Sequence, residues 1–237
     1  VYQKFIQGKE FSVECFVQNG VPTVVGIHEK TSMDLPFFIE TGDYCPPRID
    51  ALKQTVLIEE AKAALMTLGV KNSLAHIEIK WTKQGAQIIE VASRMGGVYI
   101  YQNIKQVYGF NLIRAACEIA CGVEVSEKIT VPQKYVLAKF FIPQKSGIIT
   151  ALRGFDELAR HEYVIDSFIG KKLYDSIFVP PDGYEVLGWV LTAGHSYHDV
   201  EKKMNAIMGT VSFRIAAAQV FDIPESRPFF KPASVQL

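Results

Sequence analysis

Two acidic residues, Glu78 and Glu90, have the strongest pattern for chemistry in this chain. Glu78 lies in a stretch that alternates apolar and polar residues, and Glu90 interrupts an apolar, isoleucine-rich stretch after a short polar loop. This pattern predicts a β-hairpin over residues 74–91. With the turn centred on Gln84, Glu78 falls opposite Glu90, where two carboxylates repel by roughly 1 kcal/mol in water. A divalent cation removes that repulsion, and Mg²⁺ is typically held by one or two carboxylates plus substrate phosphates.

The same stretch has an interpretation without a metal. In a slipped register Glu78 and Glu90 would be solvated, or would pair with Lys80 and Arg94. The hairpin leads directly into the segment Arg-Met-Gly-Gly at residues 94–97, which is cationic and whose glycines allow a ligand to approach the backbone closely. From the hairpin alone both interpretations remain open.

The strands that must support the hairpin lie earlier in the chain. Residues 10–17 alternate between polar and apolar side chains, with Glu10, Ser12 and Glu14 on one face. An Asn-Gly pair then predicts a tight turn into a returning strand over residues 22–28. These two strands and the hairpin together predict an antiparallel sheet.

Loops are predicted after the returning strand. Residues 29–31 open a loop in which Glu29 and Lys30 could be solvated charges, and a short strand follows at residues 36–40. The run 42–47 contains a glycine and two prolines, which exclude it from helices and from central strands. Asp43 is therefore also a candidate for a solvated loop charge.

Three helices are predicted in the first half of the chain. The clearest spans residues 49–68. Its apolar residues at helical spacing are Leu52, Val56, Ala64, Leu65 and Leu68. Two shorter helices are predicted at residues 98–107 and 111–121. Cys117 and Cys121 share one face of the latter, and we expect them to be buried thiols.

A charged, proline-containing linker at residues 123–133 predicts a boundary between domains 1–124 and 125–237. The predicted strands beyond it lie at residues 135–143, 147–152, 163–169, 185–193 and 211–215. Short helices are predicted at residues 155–160 and 196–208. This is an α+β pattern, an antiparallel sheet with flanking helices followed by a smaller, mainly antiparallel domain with helices. The histidines of this half, His161, His195 and His198, are scattered and predict surface positions.

Composition narrows the class of protein. The chain has 237 residues, of which 49% are hydrophobic and 21% charged, as in an ordinary globular protein. Its formal net charge of +0 argues against nucleic acid or an anionic membrane as the main partner. No apolar run approaches the roughly 18 residues of a membrane-spanning helix, and no signal peptide is recognisable. Four cysteines without zinc-site spacing favour the reducing cytoplasm.

Two motifs together resemble the ATP-grasp superfamily. Residues 2–14, YQKFIQGKEFSVE, resemble its hinge-and-strand motif. His76-Ile77-Glu78 followed by residues 90–97, EVASRMGG, resembles its metal-binding hairpin. The resemblance covers nearly the whole chain and implies the C-terminal half of an ATP-grasp domain followed by a smaller domain. Members of the superfamily use ATP to join a carboxylate to an amine or another nucleophile through an acyl-phosphate.

The resemblance implies a nucleotide site with a metal. Lys4 and Ile6 would contact the adenine edge through their backbone atoms, and Glu10 would accept hydrogen bonds from the ribose hydroxyls. Glu78 and Glu90 would bind one or two Mg²⁺, or Mn²⁺, that bridge the phosphates of ATP.

The resemblance also implies the residues that contact phosphate and substrate. Arg94 would be catalytic, contacting the γ-phosphate and then the acyl-phosphate. Gly96 and Gly97 would let the backbone approach the carboxylate substrate, and Lys30 would lie at the phosphate edge. A plain salt bridge is the alternative for Arg94.

Within the superfamily, the chain is most similar to the branch of L-amino-acid ligases and related carboxylate–amine ligases. Ala92 and the ending at residues 94–97 carry that similarity, although many members place an asparagine ligand where Ala92 stands. We therefore expect a ligase of small carboxylate and amine substrates, which could form a homodimer. The alternatives are a non-catalytic binding or assembly module, a biotin-carboxylase-like enzyme and a purine-pathway enzyme.

The start of the chain adds one expectation. It begins at Val1 without a methionine and runs at once into a strand-like segment. We therefore expect a piece of a longer protein, with the glycine-rich phosphate loop and two nucleotide-binding lysines before Val1. On that expectation the piece alone would be inactive.

Overall fold

The computed structural model describes residues 4–32 and 39–217. The strands there are β1 (Lys9–Gln18), β2 (Val21–Ser32), β3 (Glu40–Cys45), β4 (Ser73–Thr82), β5 (Gly85–Ala92), β6 (Tyr135–Phe141), β7 (Gly147–Arg153), β8 (Val164–Ile169), β9 (Ser176–Ile177), β10 (Gly188–Gly194) and β11 (Ser212–Ala216). The helices are α1 (Ala51–Thr67), α2 (Ile100–Tyr108), α3 (Leu112–Ala120) and α4 (Tyr197–Thr210).

Eight of these strands form one antiparallel sheet in the order β5-β4-β1-β2-β3-β6-β10-β8. Helix α1 packs on one face of its β5-to-β2 end, and α2 and α3 cover the other face. A second sheet, β11-β7-β9, packs with α4 around a further apolar cluster. The α+β class predicted from the sequence is confirmed. The eight-stranded sheet continues across residue 124, because β6 pairs with β3, and the division at that residue stays a prediction.

The β4–β5 hairpin has the register predicted for its acids, reached through a bulge. The turn pairs Thr82 with Gly85, and Ile79 pairs with Ile88, but Glu78 pairs with Glu90. One additional residue, Ile89, is therefore inserted in β5. The insertion allows Ile88 and Val91 both to pack against the α1 side while Glu90 lies on the face of Glu78.

The predicted loops around Lys30 and Asp43 are wrong. β2 continues through Glu29 and Lys30, and β3 lies between β2 and β6 within the sheet. Glu29 and Asp43 are fully buried instead of solvated. A glycine fits inside β3 because a Cβ at Gly42 (φ +148°) would meet the carbonyl oxygen of Ala138, and the prolines follow the end of the strand.

The helices are present where predicted, but two of their predicted faces are wrong. The buried residues of α1 are Leu57, Ala61 and Leu65, whereas Leu52 is 76% exposed. Cys117 and Cys121 are exposed, because α3 buries Leu112, Ala115 and Ile119 instead. Spacing identifies residues that share a helix face, but the neighbouring sheet decides which face is covered.

The second half departs from its prediction only in detail. The predicted helix at residues 155–160 is reduced to a 3₁₀ turn at Leu158–Arg160, and the short strand β9 was not predicted. Of the predicted strand-like start at residues 1–6, residues 1–3 lie outside the described residues and residues 4–6 are not strand; residues 36–38 of the strand predicted at 36–40 also lie outside them. Among the described residues, no helix is both long and apolar enough to cross a membrane.

Candidate active site

A cleft of about 560 Å³, lined by both charged and apolar side chains, opens on the sheet face opposite α1. Its walls bring together five of the predicted site residues: Lys30, Glu78, Arg94, Gly96 and Gly97. They come from β2, β4 and the loop between β5 and α2, which are distant in the chain and adjacent in the fold. The cleft is therefore the candidate site for phosphate, metal and substrate.

The strand alternation explains why acids gather on this face. β1 pairs with β4 so that Ser12 lies opposite Glu78 and Glu14 lies opposite His76. The apolar residues between them point to α1 and form its buried cluster. Glu10, two residues from Ser12, therefore lies on the cleft face as predicted from the sequence.

Lys30 is enclosed by three carboxylates. Its Nζ lies 2.5 Å from Glu78 Oε1, 3.1 Å from Glu10 Oε1 and 3.7 Å from Glu40 Oε2. Burial alone would lower the pKa of Lys30, but Glu40, Glu78 and Glu10 outweigh it and raise the pKa. Lys30 is therefore a fixed ammonium at the floor of the cleft, beside an excess of carboxylates.

Glu78 is held as a carboxylate by two neighbours. A hydrogen bond with His76, together with Lys30, lowers the pKa of Glu78 to about 2 despite partial burial. The distance from His76 Nε2 to Glu78 Oε1 is 3.4 Å. Burial would lower the pKa of His76, but hydrogen bonds to Glu14 and Glu78 raise it to about 9. Glu78 is thus available as an anionic oxygen ligand at neutral pH.

Glu90 has the properties expected of the second carboxylate ligand in a metal site with Glu78. It lies opposite Glu78, is exposed, and has no ion pair with the described residues. No group of three or more His, Cys, Asp or Glu among the described residues could hold a metal ion. Two hard oxygen donors that leave the other positions to water and phosphate match the usual coordination of Mg²⁺.

The loop after β5 presents Arg94 to the cleft. Arg94 is exposed, its Nη1 donates to the Met95 carbonyl at 2.9 Å, and no carboxylate of the described residues pairs with it. Val98 ends the loop with a φ of +55°, which is rare for a β-branched residue. Such backbone strain clusters at functional sites.

A second cleft, of about 930 Å³, lies at the start of β1. Lys4 and Ile6 line it, together with Gly8, Trp81 and Gln87. The backbone of residues 4–7 belongs to no strand, so its amide and carbonyl groups are not committed to the sheet. This arrangement suits the edge of a planar heterocycle. Glu10 is the second residue of β1 and lies between this cleft and Lys30.

Sequence reasoning missed Glu14 as part of the site. Its side chain is fully buried and contacts both His76 and the backbone of Gly96. The alternation of residues 10–14 placed it on the face of Glu10, and this shared face was the signal that the sequence offered. Tyr99 also lines the cleft.

Comparison with protein families gives two matches. Residues 1–102 match the model of the ATP-grasp domain, and residues 139–216 match that of the L-amino acid ligase C-terminal domain 2. The chain is 27% identical over 121 residues to carnosine synthase 1 of Mus musculus, an alignment that covers 51% of this chain and 15% of that protein. It is 33% identical over 111 residues to the alanine–anticapsin ligase of Bacillus subtilis, covering 46% of this chain and 23% of that protein.

Solved structures also share the fold, among them the following two. The L-amino acid ligase from Bacillus licheniformis superposes with a TM-score of 0.81 at 24% identity, over 90% of this chain and 53% of that one. Phosphoribosylglycinamide synthetase from Anaerococcus prevotii superposes with a TM-score of 0.77 at 19% identity, over 90% of this chain and 55% of that one. The chain thus spans about half of the similar structures and a quarter or less of the curated relatives.

Proposed function

The chain belongs to the ATP-grasp superfamily, and from this premise we propose that its protein is an ATP-dependent carboxylate–amine ligase. A carboxylate is phosphorylated by ATP, an amine attacks the acyl-phosphate carbon, and ADP and phosphate leave. The observation that carries the proposal is the opposed pair Glu78 and Glu90, of which Glu78 lines the cleft together with Lys30 and Arg94. These groups suit the charge that develops during phosphoryl transfer.

ATP would lie across the two clefts. Lys4 and Ile6 would bind the adenine edge through their backbone groups, since they line the cleft at the start of β1. Glu10 would accept hydrogen bonds from the ribose hydroxyls, and Lys30, two strands away from the metal pair, would neutralise phosphate oxygens. For this, the ammonium of Lys30 exchanges part of its contact with Glu78 for phosphate.

Glu78 and Glu90 would hold Mg²⁺, with Mn²⁺ as a substitute. When bound, the metal neutralises charge on the transferring phosphoryl group and orients it. The contribution of this chain is to keep both acids ionised and opposed, through the β4–β5 register and through the low pKa of Glu78.

Arg94 would stabilise the transferring phosphoryl group and then the acyl-phosphate. A guanidinium presents a planar fork of donors to oxyanions, and Arg94 has no competing carboxylate among the described residues. Gly96 and Gly97 would allow the backbone to contact the carboxylate substrate. No protein nucleophile is needed, because positioning and charge stabilisation supply the catalysis.

Amino acids are the substrates to test first. The name of one relative states a ligation of alanine with anticapsin, and the match of residues 139–216 supports the L-amino-acid-ligase branch. A cytoplasmic location is consistent with the free thiols of Cys15 and Cys45, both buried and unpaired.

The test measures ADP release by the full-length gene product with Mg²⁺-ATP and a panel of amino acids and other carboxylates. In Glu90→Gln we expect ligation to fall at least about a hundredfold, since a metal contributes several kcal/mol of transition-state stabilisation. The melting temperature should not change, because Glu90 is exposed.

The matched control is Glu60→Gln, the same substitution at an exposed site on α1. It should leave ligation unchanged. Normal turnover in Glu90→Gln would overturn the metal assignment, and no ATP-dependent ligation with any carboxylate–amine pair would overturn the proposed reaction.

A further inference from the structure

Glu14 is a buried acid for which the proposed chemistry has no role. Its side chain has no exposed surface, yet both carboxylate oxygens have partners. One oxygen contacts His76 Nδ1, and the other accepts a hydrogen bond from the Gly96 backbone N–H at 3.1 Å. A buried carboxylate is costly unless its partners compensate for lost hydration. The contacts with these two partners therefore explain why a carboxylate can be buried at this position.

Both partners of Glu14 lead to proposed active-site groups. Gly96 belongs to the loop that carries Arg94, and His76 turns its other ring nitrogen to Glu78 Oε1 at 3.4 Å. One carboxylate on β1 is thus connected to the phosphate-binding loop on one side and to the metal ligand on the other. Glu14 is thus connected to both groups by direct contacts with only two residues, Gly96 and His76.

The packing at Gly96 makes this connection stiff. A Cβ at Gly96 would lie 2.9 Å from His76 Nδ1 and 2.9 Å from the side chain of Ile100. The loop backbone therefore rests directly on the imidazole ring. Displacement of His76 would displace the loop, and the reverse, because no space separates them.

We propose that Glu14 is a positioning residue that fixes the Arg94 loop and the ligand Glu78 relative to one another, through Gly96 and His76. This inference rests on the proposed ligase function. Glu14 contacts neither phosphate nor metal, and it acts on both through its partners. Mutation of a residue that orients a metal ligand through a hydrogen bond typically lowers metal affinity or activity by about 10- to 100-fold.

The test uses Glu14→Gln, which preserves side-chain volume and removes the charge. The neutral amide has a single acceptor oxygen and cannot accept from both His76 and Gly96. We expect the Mg²⁺ concentration for half-maximal ligation to rise about tenfold or more, kcat to fall, and KM for ATP to stay within about twofold, because the adenine cleft is remote. Hydrogen exchange of the Gly96 amide should accelerate.

Val13→Ala is the matched structural control. Val13 is the neighbouring residue of β1, equally buried, and packs on the α1 side of the sheet. Its loss should lower the melting temperature without changing the Mg²⁺ requirement or Gly96 exchange. An equal shift of the Mg²⁺ requirement in Val13→Ala would overturn the proposal, since general destabilisation would then explain it.

A second variant, His76→Gln, keeps the test decisive if Glu14→Gln does not fold. It interrupts the path to Glu78 and leaves the bond from Gly96 to Glu14 in place. We expect weaker Mn²⁺ binding to the chain, read by electron paramagnetic resonance, with Gly96 exchange closer to wild type than in Glu14→Gln. Wild-type Mn²⁺ binding in His76→Gln would overturn the positioning role whether or not Glu14→Gln folds, and so would wild-type Gly96 exchange in a folded Glu14→Gln. Absence of ligation in the wild-type protein would instead refute the ligase function alone.

Discussion

Lys30 and Arg94, the two cations of the proposed phosphate site, have opposite environments. Lys30 is 10% exposed in its side chain and contacts three acids, whereas Arg94 is exposed and donates only to the adjacent Met95 carbonyl among the described residues. Lys30 is positioned in advance by the sheet, and Arg94 is free to follow a reacting group. The catalytic role proposed for Arg94 comes from the motif at residues 90–97, and its exposed side chain suits that role.

Replacement of Arg94 tests whether geometry or charge matters at this position. Arg94→Lys retains the charge and loses the planar fork, so we expect kcat to fall about a hundredfold with little change in KM for ATP. Steady-state ADP release by the full-length gene product measures both. Arg160→Lys, at an exposed pair with Glu157, should have wild-type kinetics; a wild-type kcat in Arg94→Lys would refute the catalytic role.

Individual residues also show which contacts could be predicted from the sequence and which could not. The opposition of Glu78 and Glu90 followed from strand alternation, which is local information. The contacts of Glu14 with Gly96 and His76 join residues far apart in the chain, and no local pattern specifies them. The position of Lys30 among three acids likewise depends on the assembled sheet.

At the scale of elements, predictions failed where tertiary packing overrode local preference. The run after residue 40 has turn-forming residues, yet β3 is central, because β2 and β6 offer edges on both sides and Gly42 admits the β6 backbone. The pairing of Glu78 with Glu90 was predicted correctly, but the pairs next to the turn are shifted by one residue, because the bulge at Ile89 could not be inferred from a simple alternation. The bounds of β1, β4 and α3, among others, were predicted to within one residue at each end.

The docking of α4 provides a test at this scale. Tyr197, the first residue of α4, donates its hydroxyl to the carbonyl of Pro47 at 2.8 Å, just after β3. Tyr197→Phe removes this bond, and we expect a loss of about 1 kcal/mol in the free energy of unfolding. Urea denaturation of the chain measures it.

The control for this bond is Tyr135→Phe. Tyr135 packs edge-on against Tyr197 with ring centroids 4.6 Å apart, but its hydroxyl has no hydrogen bond to the described residues. This variant should unfold with a free energy within about 0.5 kcal/mol of wild type. If both variants were equally destabilised, loss of a tyrosine hydroxyl in general, and not of the bond to Pro47, would account for the change.

At the scale of the whole molecule, the fold class and branch were predictable because motifs in the first half agree with the strand pattern of the second. The continuity of the sheet was not predictable, since pairing of β6 with β3 joins strands separated by the whole hairpin and three helices. This continuity buries a row of polar side chains between the sheet and α2. His28 is one of them, fully buried, with neither ring nitrogen hydrogen-bonded to the described residues.

The buried His28 makes the stability of the chain sensitive to acid. Burial lowers its pKa from 6.5 to about 3, with the charges of His76 and Lys30 acting in the same direction. Between those values the unfolded chain binds a proton that the native protein does not, so stability is complete above pH 6.5 and is lost as the pH falls towards 3. The maximum slope from one group is about 1.4 kcal/mol per pH unit.

His28→Leu should remove this contribution without adding a charge. We expect its free energy of unfolding, measured by urea denaturation of the chain, to fall less steeply than that of wild type as the pH is lowered from about 7 to 4. The difference between the two slopes should correspond to the uptake of up to one proton on unfolding. His198→Gln, at an exposed histidine of α4, should retain the wild-type slope. Equal slopes in His28→Leu and wild type would mean that His28 accepts a proton in the native state. The charged cleft beside it, and not the buried row, would then determine the acid sensitivity of the molecule.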